Sequence, residues 1–64
     1  MRLTELWERL DRALGPSYSR VWAHEQTLPD LDSRTVEEAL AAGVPARTVW
    51  HAVWTTLELP DRDR

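Results

Sequence analysis

The sequence predicts an all-α fold, a compact four-helix domain whose last two helices form a helix-turn-helix-like corner. Three observations carry that expectation. Apolar residues recur at the three- and four-residue spacing of a helical stripe. Strong breakers, Gly15-Pro16, Pro29 and Gly43-Val44-Pro45, divide the chain into helix-sized pieces. No segment reads as a strand, an internal repeat or a low-complexity linker.

The first helix is the clearest. Leu3, Leu6, Trp7, Leu10, Ala13 and Leu14 share one stripe, which stops at Gly15-Pro16, where glycine can end a helix and proline can open the next. The second helix then runs from Pro16 or Ser17 to about Thr27, with Tyr18, Val21 and Trp22 expected on its inner face and Leu28 closing it. Glu25 falls in that apolar arc, almost in line with Tyr18, so a carboxylate there calls for a donor. Arg34, a tryptophan N–H and the backbone of the third helix are the candidates. Glu25 and Arg34 are therefore expected as structural anchors rather than catalytic groups.

Residues 28–34, LPDLDSR, read as a loop pinned by Leu28 and Leu31. Thr35 and Glu38 form a capping box that starts a short third helix, Val36 to Ala42, ended by Gly43. Pro45 can open the fourth helix, which extends to about Leu57. Residues 1–59 thus make a single helical domain, and 60–64, ending in DRDR, a charged tail expected to fray. The core is expected to contain Leu6, Trp7, Leu10, Leu14, Tyr18, Trp22, Leu40, Val49, Trp50, Val53 and Leu57.

Size sets the energetic scale. A chain of 64 residues hides only about 60% of its unfolded surface and seldom holds more than ~3–5 kcal/mol of net stability without a staple. Cysteine is absent, so no disulfide or thiolate metal site is available. Four tryptophans, with no phenylalanine and no isoleucine, must carry the packing. Truncating one buried tryptophan costs about as much as the whole domain holds, ~3–5 kcal/mol.

Eight arginines, no lysine and eleven acids leave a formal charge of −3, which argues against a general polyanion binder. Glu5 with Arg9, and Glu8 with Arg12, stand at the helical i,i+4 spacing, which would reduce the free positive field further. No stretch resembles a signal peptide or approaches the ~20 apolar residues that span a bilayer, so a cytoplasmic location and no membrane are expected.

Catalytic chemistry finds no foothold. His24 and His51 share no helix at i,i+4, there is no nucleophile-base-orienter set or glycine-rich phosphate loop, and so short a chain should not wall off a pocket of ~300 Å³. An enzyme, a metal site and a cofactor are all unexpected.

The corner around Gly43 decides between two binding functions. Ala39, Val44 and Val49 stand where two helices crossing at ~90–120° need a small residue, a turn residue and an apolar wedge, but any tight helical corner has those needs. A DNA reader would present Arg47, Trp50, His51 and Trp54. The helical wheel instead centres Trp50 on the apolar face with Ala46, Val53 and Leu57, leaving Arg47, Thr48, His51 and Thr55 outside. One exposed arginine cannot supply the several phosphate contacts that DNA binding needs. The favoured expectation is a non-enzymatic adaptor or regulatory module binding another protein through Arg47, His51 and Trp54, an arginine-tryptophan composition common in interface hot spots. The alternative is a nucleic-acid binder using the same surface. Whether Arg47 is free or tied to a carboxylate separates the two. Trp54 can also cap the core or pair across a two-fold axis as a homodimer.

MRLTELWERL at the start, Trp22-Ala23, the run RTVEEALAAGV and VWHAVW resemble, in order and across nearly the whole chain, the short actinobacterial proteins grouped as domain of unknown function 3046. That resemblance implies no activity, cofactor or catalytic residue. It implies a DNA-repair or recombination context, and it marks Trp54 as a departure, because many such proteins carry cysteine there.

Overall fold

The computed structural model describes all 64 residues and contains four α-helices: α1 (Leu3–Leu14), α2 (Pro16–Glu25), α3 (Val36–Ala41) and α4 (Ala46–Leu57). Two 3₁₀ turns, Pro29–Leu31 and Asp61–Asp63, complete it, and the only extended pairing is a single bridge between Leu28 and Arg34. The all-α, four-helix expectation holds. α1 packs on α2 and α4, α2 on α3, and α3 and the first 3₁₀ turn on α4.

The breakers act as their chemistry requires. At Gly15, φ is +90°, which L-residues with a Cβ rarely adopt, and Pro16 opens α2 immediately. The capping box forms in full: Thr35 Oγ1 accepts from the Glu38 N–H and Glu38 Oε1 accepts from the Thr35 N–H. α3 ends in a Schellman motif. Val44 N–H donates to the Ala39 carbonyl at 3.0 Å and Gly43 N–H to the Leu40 carbonyl at 3.1 Å, with Gly43 at φ +89°. Ala39 and Val49 are fully buried beside that turn, so the expected corner exists as a geometry.

The core consists mainly of Leu6, Leu10, Trp22, Leu28, Val36, Val49, Trp50 and Val53, with Leu31 and the alanines 23, 39 and 52. Trp7, Leu14, Leu40 and Leu57, expected inside, pack against it half-buried. Tyr18 is a correction. It is 55% exposed and Val21 51%, while Ser19 and Ala23 face inward beside Trp22. The inner face of α2 is therefore rotated from the one that its large apolar residues suggest. The corner at Gly15-Pro16 brings α2 close to α1, and Ser19 and Ala23, one turn apart, are small enough to accept that approach. The Ser19 hydroxyl donates to the Asp11 carboxylate, which makes a polar residue welcome at a fully buried position.

The same rotation corrects the anchor assignment. Glu25 is exposed at the end of α2 and makes no hydrogen bond or ion pair, and Arg34 is exposed with only Asp32, 3.9 Å away, beside it. Glu25 and Arg34 do not meet. Of the two expected pairs on α1, Glu5–Arg9 forms at 2.9 Å, while Arg12 has no carboxylate partner.

The structure lays residues 60–64, the charged tail of the sequence, against α4. α4 ends in another Schellman motif, with Leu59 N–H on the Trp54 carbonyl and Glu58 N–H on that of Thr55, and the chain then folds back over α4. The pivot is Glu58, at φ +54° and ψ +47°, a left-handed residue where glycine would be unstrained. Glu58→Gly is expected to raise stability by about 0.5–1 kcal/mol, the relieved strain less the freedom that glycine adds to the unfolded chain. In a domain this small that is a rise of about 2–8 °C in melting temperature. An unchanged midpoint by circular dichroism would mean that the Glu58 side chain compensates for its backbone.

Candidate functional site

α4 positions the candidate surface. Val49, Trp50, Ala52 and Val53 turn inward, which leaves Arg47, Thr48, His51 and Thr55 on the outer face, as the helical wheel requires. Arg47 is exposed and has no carboxylate within ion-pair distance. His51 leans on Trp54, ring centroids 5.7 Å apart and planes 31° to each other.

Trp54 is half-buried against the core rather than a free edge. Its indole Nε1 donates to the Pro60 carbonyl at 2.9 Å, and the Arg64 guanidinium lies 4.7 Å from its ring centroid. One turn earlier, Trp50 Nε1 donates to the Asp63 carbonyl, also at 2.9 Å. The N–H of the buried Trp50 needs an acceptor, and it shares one strap of backbone with the more exposed N–H of Trp54. The tail thus belongs to the surface that it was expected to leave.

An open cleft of about 410 Å³ results, lined by Asp30 from the first 3₁₀ turn, by Arg47, Thr48, Trp50 and His51 from α4, and by Arg64. Asp30, Thr48 and His51 line this cleft without hydrogen bonds to one another. No group of three or more potential metal ligands exists anywhere in the chain. A second, smaller cleft of about 160 Å³ adjoins the first at Trp50 and Arg64; Arg9, Arg12, Arg62 and Asp63 also line it.

The family model described as protein of unknown function (DUF3046) matches residues 1–62. The chain belongs to that family. The match takes in all four helices and reaches Arg62, inside the strap that covers Trp50 and Trp54. Comparison with curated proteins and with solved structures gives no match. No helix is long and apolar enough to cross a membrane.

Sequence reasoning placed Arg47, His51 and Trp54 on adjoining turns of α4, and they are neighbours in this member of DUF3046. It missed Asp30 and Arg64, which come from the loop and the tail. The available signal was chemical. Two tryptophans four residues apart needed two carbonyls, and the segment after Leu57 was the nearest unassigned backbone.

The pKa of His24 is raised above the usual 6.5. The cause is first a hydrogen bond between His24 Nδ1 and Glu37 Oε1 at 3.1 Å, then the charge of Glu37, with Glu25 and Glu38 adding to it. This contact joins α2 to α3. A raised folded-state pKa means that its contribution is complete below pH ~6.5 and lost as pH rises through the folded value. The pair is exposed, so the effect on stability is small. NMR titration of the His24 ring is expected to show a midpoint above 6.5 that falls back toward that value in Glu37→Gln. A midpoint unmoved by that substitution would remove Glu37 as the cause.

Proposed function

We propose that this DUF3046 member is a small, non-enzymatic cytoplasmic module that binds a segment of another protein along the outer face of α4. The supporting observation is the open cleft itself, lined by Arg47, His51 and Arg64, where the His51 ring leans on Trp54 and the Arg64 guanidinium lies over the same indole. Arginine beside an aromatic pair, over a concave and partly apolar surface, is a composition that concentrates binding energy in protein interfaces. Asp30 at the rim and the net charge of −3 weaken the same cleft for a uniform polyanion.

One observation favours the nucleic-acid alternative: Arg47 is not tied to a carboxylate, and it lies in the first turn of the second helix of the corner. Tryptophan fluorescence titration with single- and double-stranded DNA at ~50 and ~200 mM salt separates the two, since several phosphate contacts give a steep loss of affinity over that range. The protein-binding module predicts a flat titration at both salts. It also predicts that partners cross-linked by the wild-type protein in its native host are lost from Arg47→Ala and kept by Arg34→Ala. Saturable, salt-steep DNA binding that Arg47→Ala abolishes would replace it with the nucleic-acid reading.

A further inference from the structure

We propose that the smaller cleft, between α1 and the C-terminal strap, is a binding site for a compact oxyanion of the phosphate class. It stands apart from the protein-binding surface because Arg47 takes no part in it, although the two clefts meet at Trp50 and Arg64.

The distribution of unpaired charge points there. Of the eight arginines, Arg9, Arg20, Arg34 and Arg64 each have a carboxylate within 4.0 Å, which leaves Arg2, Arg12, Arg47 and Arg62 without one. Arg12 and Arg62, fifty residues apart in sequence, line this one cleft together with Arg9 and Arg64, against a single lining acid, Asp63. Glu5 and Asp61 offset the charges of Arg9 and Arg64, so the uncompensated positive charge of this cleft is that of Arg12 and Arg62, beside Asp63. Glu5 takes one edge of Arg9 at 2.9 Å, and the Arg64 main-chain oxygen accepts from its Nη1 at 3.1 Å. Arg12 and Arg62 therefore have the guanidinium groups most available to a ligand.

The walls are built before any ligand arrives. Trp50 Nε1 on the Asp63 carbonyl and Trp54 Nε1 on the Pro60 carbonyl hold the strap over α4, and Arg9 ties its end to α1. At about 160 Å³ the cleft is well below the ~300 Å³ of sites for drug-sized metabolites, so it suits one anionic group. A carboxylate satisfies one guanidinium fork, whereas a tetrahedral oxyanion accepts from several directions at once, and the absence of lysine makes the donor set wholly of the forked kind. The bound anion would bridge Arg12 on α1 to Arg62 on the strap and hold the strap on Trp50.

The test is thermal melting of the full chain in sodium phosphate, glycerol phosphate, sulfate and chloride at equal ionic strength and pH, with binding followed in parallel by ³¹P NMR titration. Phosphate is expected to raise the midpoint with the logarithm of its concentration above Kd, by about 5–10 °C at roughly ten times its Kd, while the ³¹P titration saturates. Arg12→Gln and Arg62→Gln are each expected to weaken phosphate about tenfold or more, while Arg2→Gln and Arg47→Gln retain wild-type affinity. Tighter binding of glycerol phosphate would identify the ligand as a phosphorylated molecule, and tighter binding of inorganic phosphate as the free ion. A rise that grows linearly with concentration, is accompanied by no saturable ³¹P titration and survives Arg12→Gln and Arg62→Gln is the general effect of excluded salts and overturns the proposal. So does a phosphate midpoint equal to that in chloride. Because Arg47→Gln keeps this site, loss of one function leaves the other testable.

Discussion

Trp50→Ala is expected to leave no cooperatively folded protein at 25 °C. Trp50 is 3% exposed at the centre of α4, the helix against which α1, α3 and the first 3₁₀ turn pack, and removing a buried indole costs ~3–5 kcal/mol. The whole domain holds about the same. The substitution also takes the donor from the Asp63 carbonyl and releases the strap, and the Arg9 guanidinium, 5.7 Å from the ring, loses its stacking surface. Far-UV circular dichroism and thermal melting give the measurement. Trp50→Phe separates the two losses: most of the apolar contact stays and only the N–H goes, for an expected cost of about 1–2 kcal/mol with folding retained. A cooperative transition for Trp50→Ala within a few degrees of wild type would mean that the core is carried elsewhere.

What the sequence made legible follows the range over which each force acts. The capping box at Thr35 and Glu38, the turn at Gly43 and the inward face of α4 depend on residues within a turn or two of one another, and each stands as expected. The face of α2 was not legible in the same way. Hydrophobicity favoured Tyr18 and Val21, but the buried position went to Ser19, whose hydroxyl is satisfied by Asp11 from the preceding helix. A rule that ranks residues by apolarity cannot see a partner on another element. The strap shows the same limit at longer range. DRDR reads as a solvated end until Trp50 and Trp54 are known to point their N–H groups at its backbone, and the cleft of arginines exists only once that contact is made. That Arg47, His51 and Trp54 lie on adjoining turns of one helix was legible; that Asp30 and Arg64 meet Arg47 and His51 in one cleft was not, because their place is set by folding.

The Asp11–Ser19 contact makes that dependence measurable. Asp11→Ala is expected to cost about 1–2 kcal/mol although Asp11 itself is only half-buried, because it leaves a fully buried hydroxyl with nothing but the Pro16 carbonyl, 3.4 Å away. The ion pair with Arg20, 3.6 Å from Asp11 and largely exposed, adds little to that cost, and Arg20 keeps its place 4.3 Å from the centre of the Trp7 ring. Ser19→Ala should cost less, since the orphaned carboxylate can turn to water while the buried hydroxyl cannot. The double variant removes both ends of the bond and leaves two methyl groups at a tight helix crossing, so its cost should fall short of the sum by about 1 kcal/mol. Urea denaturation of the four proteins yields the coupling. Additive costs would mean that the hydroxyl finds water or another acceptor, and that α2 keeps Ser19 inward for its size alone. Strong coupling would establish that one polar contact across the Gly15-Pro16 corner sets which face of α2 the core receives, and hence why Tyr18 stands in solvent.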